Sequence, residues 1–220
     1  MSHPRALLLI GAESSICCDF LETMARAGIS VAASIVTGPA EWDMAGTGPV
    51  MPVEDLSPEL RRVPFVVPWV APGWRRERVE LALHAGLRPA EMLADPTAVL
   101  PRALTVGSGV YINAGAVIGA QTRLGAGVFI NRNASLGHHN TLEDYATVGP
   151  GATLAGRVRL GRGCFIGAGA VIAPGISIGA NAVIASGASI HRDVPANVLA
   201  AGNPFRIVKT GVAGYQGVGV

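Results

Sequence analysis

Every sixth residue from Leu100 to Ile190 is Leu, Ile or Val: Leu100, Val106, Ile112, Ile118, Leu124, Ile130, Leu136, Leu142, Val148, Leu154, Leu160, Ile166, Ile172, Ile178, Ile184 and Ile190. The rest of each hexad is patterned too. Gly often follows the aliphatic residue, as at Gly107, Gly119, Gly137 and Gly167. Four places on, the residue is usually small or β-branched, as at Val110, Ala116, Thr122, Val128, Ala134 and Ala146. Three places on stands Gly (Gly109, Gly115, Gly127, Gly151, Gly163, Gly169, Gly175, Gly187) or Asn (Asn133, Asn181). Both types tolerate positive φ, so this slot is a sharp turn. A short strand and a turn in every hexad is the pattern of a parallel β-helix. The aliphatic residue points inward and stacks on its equivalents above and below, each worth ~1.5–3 kcal/mol when fully buried. No coil can bury its inner face alone, so neighbours stabilise one another.

Composition agrees and excludes several classes. Half of the 220 residues are hydrophobic, only 15% are charged and 5% are aromatic, so the apolar fraction is aliphatic and too large for a disordered chain. A net charge of +2 argues against a strongly basic nucleic-acid binder. Mean hydropathy is +0.41, yet no uninterrupted apolar run is long enough for a spanning helix. The opening MSHPRALLLIGAESS has no cleavage site after its short apolar run and reads as a first strand rather than a signal peptide. Three cysteines, two of them adjacent (Cys17, Cys18), make no disulfide framework, and a reducing, cytoplasmic setting is expected, with no membrane partner.

Residues 1–95 have another texture. Ala6–Ile10 is a strand pattern and Gly11–Ser15 a turn. Ile16–Ala27 has helical periodicity and is stopped by Gly28. Val31–Val36 and Phe65–Val70 are strand patterns, and Trp74–Ala85 is a second helix stopped by Gly86. This alternation predicts a small parallel α/β, Rossmann-like domain. The expected organisation is that domain over 1–95, the β-helix over 96–210, and a loose tail over 211–220.

The segments INRNASLGHHNTLEDYATVGPGATLAGRV (130–158), CFIGAGAVIAPGISIGANAVIASGASI (164–190) and DVPANVLAAGNPFRIVK (193–209) resemble the left-handed β-helix, hexapeptide-repeat acyltransferases. With the α/β domain in front, the chain is similar to the sugar O- and N-acetyltransferases, which include sialic acid O-acetyltransferase and enzymes acetylating nucleotide-linked amino sugars. The resemblance implies a left-handed coil, a homotrimer, acetyl-CoA as co-substrate, no metal, and a sugar acceptor used in polysaccharide biosynthesis.

It also implies site residues. His138 matches the general base that takes a proton from the acceptor amine or hydroxyl during attack on the thioester. Imidazole suits proton transfer near neutrality. His139 stands where many relatives carry an acidic residue that orients the base. It is a candidate for a direct catalytic role, and Glu143 and Asp144 are the nearest carboxylates in sequence. Asn131 matches an asparagine lining the acceptor site. Thr147 stands where relatives have a histidine near the acetyl group. Ala168 and Ser186 match positions offering backbone groups to the pantetheine arm, and Arg206 and Lys209 are candidates for the CoA phosphates. In the α/β domain, relatives follow the first strand with a Gly-Ala-x-Gly-His-Gly type of loop that holds a nucleotide. Here that loop is Gly11-Ala12-Glu13-Ser14-Ser15-Ile16, so Glu13, Ser14 and Ser15 are the substrate-binding candidates, and Glu13 sets a negative charge near where a diphosphate would lie.

Two other classes compete. A γ-class carbonic anhydrase shares the coil but needs three histidine ligands, and only His138, His139 and His191 lie in the repeat. A catalytically inactive β-helix scaffold is the stronger rival.

Overall fold

The computed structural model describes residues 4–220; the first three residues of the expected 1–95 domain lie outside the described part. The chain is a left-handed parallel β-helix preceded by an α/β region. β1 (Ala6–Ile10) lies between β2 (Ser30–Ile35) and β3 (Phe65–Val66) in a parallel sheet. Helix α1 (Cys17–Arg26) buries Phe20 and Met24, and helix α2 (Pro72–His84) follows β3. β4 (Met92–Ala94) then pairs with Val110–Ile112 and opens the prism. The third predicted strand is shorter than expected, because the chain past Val66 turns to present Trp69 and Val70 to α2.

The hexads form three flat faces. One, the docked face, carries β4, Val110–Ile112, Phe129–Ile130, Thr147–Val148, Phe165–Ile166, Val183–Ile184 and Val198–Gly202. A second, the bare face, carries Val117–Ile118, Ser135–Leu136, Thr153–Leu154, Val171–Ile172 and Ser189–Ile190. The third, the basic face, carries Thr105–Val106, Arg123–Leu124, Thr141–Leu142, Arg159–Leu160 and Ser177–Ile178. All pairings between successive coils are parallel, with inward aliphatic residues in register, as in Leu136 on Leu154 and Ile166 on Ile184. These residues and the small ones four places on form one continuous core. The turn slot behaves as its composition requires. From Gly109 to Gly187 every slot has φ between +56° and +75°, including the four filled by Gln121, His139, Tyr145 and Arg157.

The docked face is covered along its length. Phe20 of α1 stacks on Tyr111 with ring centroids 3.7 Å apart, and both pack with Phe129 in a cluster shared with β1 and β3. Farther along, residues 211–220, expected to hang loose, are seated. Tyr215 stacks on Phe165 at 3.7 Å, and the Val220 N–H donates to Asn181 Oδ1 at 2.9 Å. Val218 lies against Gly73 of α2, where any Cβ would strike it. Apart from Thr147, the outward row of this face is apolar, and burying it repays the ordering of the segment. Cys17 and Cys164 are buried packing residues. Burial, with Cys18 and Glu13 nearby, pushes the Cys17 thiol up to about 12, so it stays protonated.

Candidate active site

His138 and His139 occupy the corner between Ser135–Leu136 of the bare face and Thr141–Leu142 of the basic face. The ladder fixes this turn from both sides. The His139 N–H donates to the Ala120 carbonyl at 2.8 Å, and the Arg157 N–H donates to the His138 carbonyl at 2.9 Å. Inside the corner sits Asn140, fully buried in a slot that other hexads fill with Ala, Val, Leu, Ile, Thr or Cys. Its Nδ2 donates to the Gly137 carbonyl at 3.0 Å, and its Oδ1 accepts from the Val158 N–H at 2.8 Å. The Thr122 hydroxyl reaches the same Gly137 carbonyl at 3.3 Å. The residue just before His138 is thus held by two side chains from inside the prism. Sequence reasoning missed Asn140, although a polar residue in an inward slot was the available signal.

Both imidazoles are exposed. Their Nδ1 atoms lie 2.9 Å apart with the rings perpendicular. The His138 ring lies over Gly156 of the next coil, where a Cβ would come within 2.8 Å of Nε2 and Cε1. The expected acidic candidates are committed elsewhere. Glu143 accepts from the Arg162 N–H at 3.1 Å, and Asp144 accepts from the Ala126 N–H at 2.8 Å, both on the following corner. His191 stands three coils farther along, against Phe205. At ~4.8 Å per coil it is roughly 14 Å from the pair. The three histidines of the repeat therefore do not converge, as a three-histidine metal site within one chain would require.

The other predicted residues lie apart from this corner. Asn131 occupies the corner between the docked and bare faces, one whole face away from His138. It is buried, and its Oδ1 accepts from Asn113 Nδ2 at 3.1 Å and from the Arg132 N–H at 2.8 Å. Asp19 of α1 closes the cluster, taking Asn113 Nδ2 at 2.9 Å and Arg132 Nη1 at 2.7 Å. Ala168 and Ser186 are exposed on the same corner farther along, and the Ala168 carbonyl already accepts the Gly187 N–H at 2.8 Å. Arg206 and Lys209 are exposed on the antiparallel strand that closes the docked face, where Lys209 lines a cavity of about 300 Å³ with Leu199 and Tyr215.

Thr147 is corrected by the structure. Its side chain is wholly buried under α2. The hydroxyl donates to the Val70 carbonyl and accepts from Arg75 Nη2, both at 2.9 Å, which leaves nothing for an acetyl group. Arg75 is the residue this junction is built on. It spends all five donor hydrogens on the carbonyls of Gly127, Tyr145, Trp69 and Val70 and on Thr147. Burial pushes its guanidinium down to about 9, which leaves it charged at neutral pH.

The prism matches the family model described as bacterial transferase hexapeptide (six repeats) over residues 157–192. Comparison with curated protein sequences gives no match. Solved structures match over nearly the whole chain. The acetyltransferase domain of PglB from Neisseria gonorrhoeae, in complex with acetyl coenzyme A, is 27% identical. The alignment covers 94% of this chain and 100% of that one with a TM-score of 0.83. PerB from Caulobacter crescentus, in complex with CoA and GDP-perosamine, is 28% identical over 94% and 99% of the two chains, with a TM-score of 0.82. WeeI from Acinetobacter baumannii, at 20% identity and a TM-score of 0.72, shares the fold over 92% and 100%. The chain is an acyltransferase whose prism carries hexapeptide repeats. Among its described residues no helix is long and apolar enough to cross a membrane.

In this acyltransferase the loop after β1 is closed. Glu13 does not face outward as a bare charge. It is buried, accepts from the Thr37 N–H at 3.1 Å and from the Thr37 hydroxyl, and pairs with Arg78 at 3.3 Å. The Arg78 guanidinium lies 3.7 Å over the Trp69 ring, and these two side chains fill the space that a Cβ on Gly11 would enter. Ser14 is buried too, and its N–H turns back to the Gly11 carbonyl. The Ser15 N–H is taken by Glu41 Oε2 at 2.9 Å, while the Glu41 N–H and Trp42 Nε1 bond the Glu13 and Ala12 carbonyls, both at 2.9 Å. The N–H groups of Gly11, Ala12, Ser14 and Ser15, which a phosphate could otherwise use, are therefore taken by the chain's own carbonyls and by Glu41.

Proposed function

We propose that the acyltransferase moves an acetyl group from acetyl-CoA to an amine or hydroxyl of a sugar, with His138 as general base. One observation carries this assignment. An exposed imidazole, braced by its neighbour's ring and by Gly156, stands on a rigid coil corner of a fold whose neighbours PglB and PerB are seen with acetyl-CoA or with CoA and GDP-perosamine. The acceptor nitrogen or oxygen attacks the thioester carbonyl as Nε2 of His138 takes its proton. The tetrahedral oxyanion is held by backbone N–H groups. It collapses as the C–S bond breaks, and the CoA thiolate takes back the proton from the imidazolium. No covalent enzyme intermediate forms.

The working unit is a homotrimer with its sites between subunits. Asn131 and His138 occupy different corners of one chain. The face between them presents an uncharged row of Val99, Val117, Ser135, Thr153, Val171 and Ser189, suited to contact with another copy. Ala168 and Ser186 line the pantetheine arm and Arg206 and Lys209 meet the CoA phosphates. Because the β1–α1 loop is closed, any nucleotide on the sugar is gripped elsewhere than at Glu13, Ser14 and Ser15.

The test is thiol release from acetyl-CoA with a panel of free and UDP-, GDP- and dTDP-linked amino sugars. His138→Ala should lower kcat ~10²–10⁴-fold. Full turnover by that variant, or no thiol release and no CoA binding by the wild type, overturns the assignment.

A further inference from the structure

Two ring nitrogens 2.9 Å apart must share one proton. With two protons the N–H groups would collide, and with none the lone pairs would repel. The proton on that axis decides which nitrogen of His138 is left basic, because a neutral imidazole has one donor and one acceptor nitrogen. If His139 donates, His138 carries its proton on Nε2 and has no lone pair for an acceptor. If His138 donates from Nδ1, its Nε2 lone pair is available beside Gly156. We infer that His139 is the positioning residue of the active site: its Nδ1 accepts the Nδ1–H of His138, fixing the base in the tautomer whose Nε2 takes the acceptor's proton. This rests on the assignment of His138 as base and extends it.

Three observations support the inference. The acidic side chains nearest in sequence, Glu143 and Asp144, are bonded on another corner and do not reach the pair. His139 also occupies the left-handed turn slot, at φ +58°, which ten of the other hexads fill with Gly or Asn. An L-residue with a large side chain is strained there. The fold therefore gains nothing from an imidazole at this slot that Gly would not give more cheaply. The turn itself is fixed independently, through Asn140 and the ladder, so the ring is not needed to hold it.

The chemistry follows from replacing an anion with a neutral acceptor. As His138 takes the proton at Nε2 it becomes a cation, and its Nδ1–H to His139 Nδ1 becomes a charge-assisted bond, roughly twice as strong as a neutral one. His139 strengthens its hold as charge develops and orients the ring throughout. It is a positioning residue, since it acts through His138.

The slot supplies the test. His139→Gly removes the acceptor while giving the turn its preferred residue, and His139→Asn restores an acceptor oxygen in a residue the slot already takes at Asn133 and Asn181. His139→Gly should lower kcat about 10–100-fold, in the range seen when an orienting partner is lost. The KM for acetyl-CoA should stay near the wild-type value and the melting temperature should be equal or higher. His139→Asn should recover most of the kcat. A merely structural role predicts that stability and activity fall together and that Asn behaves like Gly. Without any acceptor, long-range ¹H–¹⁵N spectra of ¹⁵N-histidine-labelled protein, above the imidazole titration, should show His138 as the Nδ1–H tautomer in the wild type and as the Nε2–H form in His139→Gly. An Nε2–H His138 in the wild type, or unchanged kcat in His139→Gly, overturns the inference while leaving the acyltransferase assignment intact. Loss of that assignment would show instead as full turnover by His138→Ala.

Discussion

Within the prism each contact is made many times over: Leu154 packs between Leu136 and Ile172 as Ile166 packs between Val148 and Ile184. Within the α/β domain and its junction each contact is made once. Arg75 has no equivalent, and neither has the Glu13–Arg78 pair. Repetition spreads the cost of a fault over neighbouring coils, whereas a unique polar junction concentrates it. The contrast also locates the chemistry. The coil carries its candidate base where the repeat is broken, with Asn140 in an apolar slot and His139 in a glycine slot.

The largest expected stability effect lies at the junction. Arg75→Ala leaves four buried carbonyls and the Thr147 hydroxyl short of a donor, and should cost ~3–5 kcal/mol. Urea titration should then show the α/β domain leaving before the prism melts. A single transition with a loss under about 1 kcal/mol would erase the distinction between the two regions. A smaller effect, this time on turnover, is expected at Gly156. Its φ is ordinary, so alanine suits the backbone, yet the new methyl would displace the His138 ring. Gly156→Ala should lower kcat ~10–100-fold with the melting temperature kept, because small misplacements of a reacting group are costly.

The smallest effect is at Asp95, where the α/β domain meets the first coils. Burial alone would raise this carboxyl. Hydrogen bonds from Thr97, Arg26 and Thr23 outweigh burial and hold it below the usual range. Its contribution is therefore complete above the unfolded value of ~3.9 and disappears as pH falls through the lower folded value. Asp95→Asn should cost ~1–2 kcal/mol at neutral pH, since Arg26 is partly exposed and its share is screened. Acid titration of the variant should lack that part of the wild-type decline, and identical acid limbs would remove Asp95 from the junction.

How legible each region was follows from the same contrast. The prism could be read because one period forces both the inward stack and the turn, and even Arg157 and Tyr145 obey the slot's positive φ. The strands and helices of the α/β domain were legible from ordinary periodicity, within a few residues. The closure of its loop was not. Glu13 looks like an exposed charge until Thr37, Arg78 and Glu41 arrive from distant stretches of the chain. Thr147 failed for the same reason. Its place in the repeat was right, but the repeat cannot tell which face another domain will cover. The pairing of His138 with His139 was within reach, as neighbours across a tight turn, but the 2.9 Å contact between like nitrogens is set by ring orientations that no spacing encodes.

Tyr215 and Val218 touch the prism and α2 at once. During synthesis the α/β domain can settle on the early coils, but this clasp closes only after every coil has left the ribosome. A nascent or trimmed molecule bares Phe165 and Val183, a strip inviting chaperones and self-association, so cellular yield should report on the clasp even where catalysis does not.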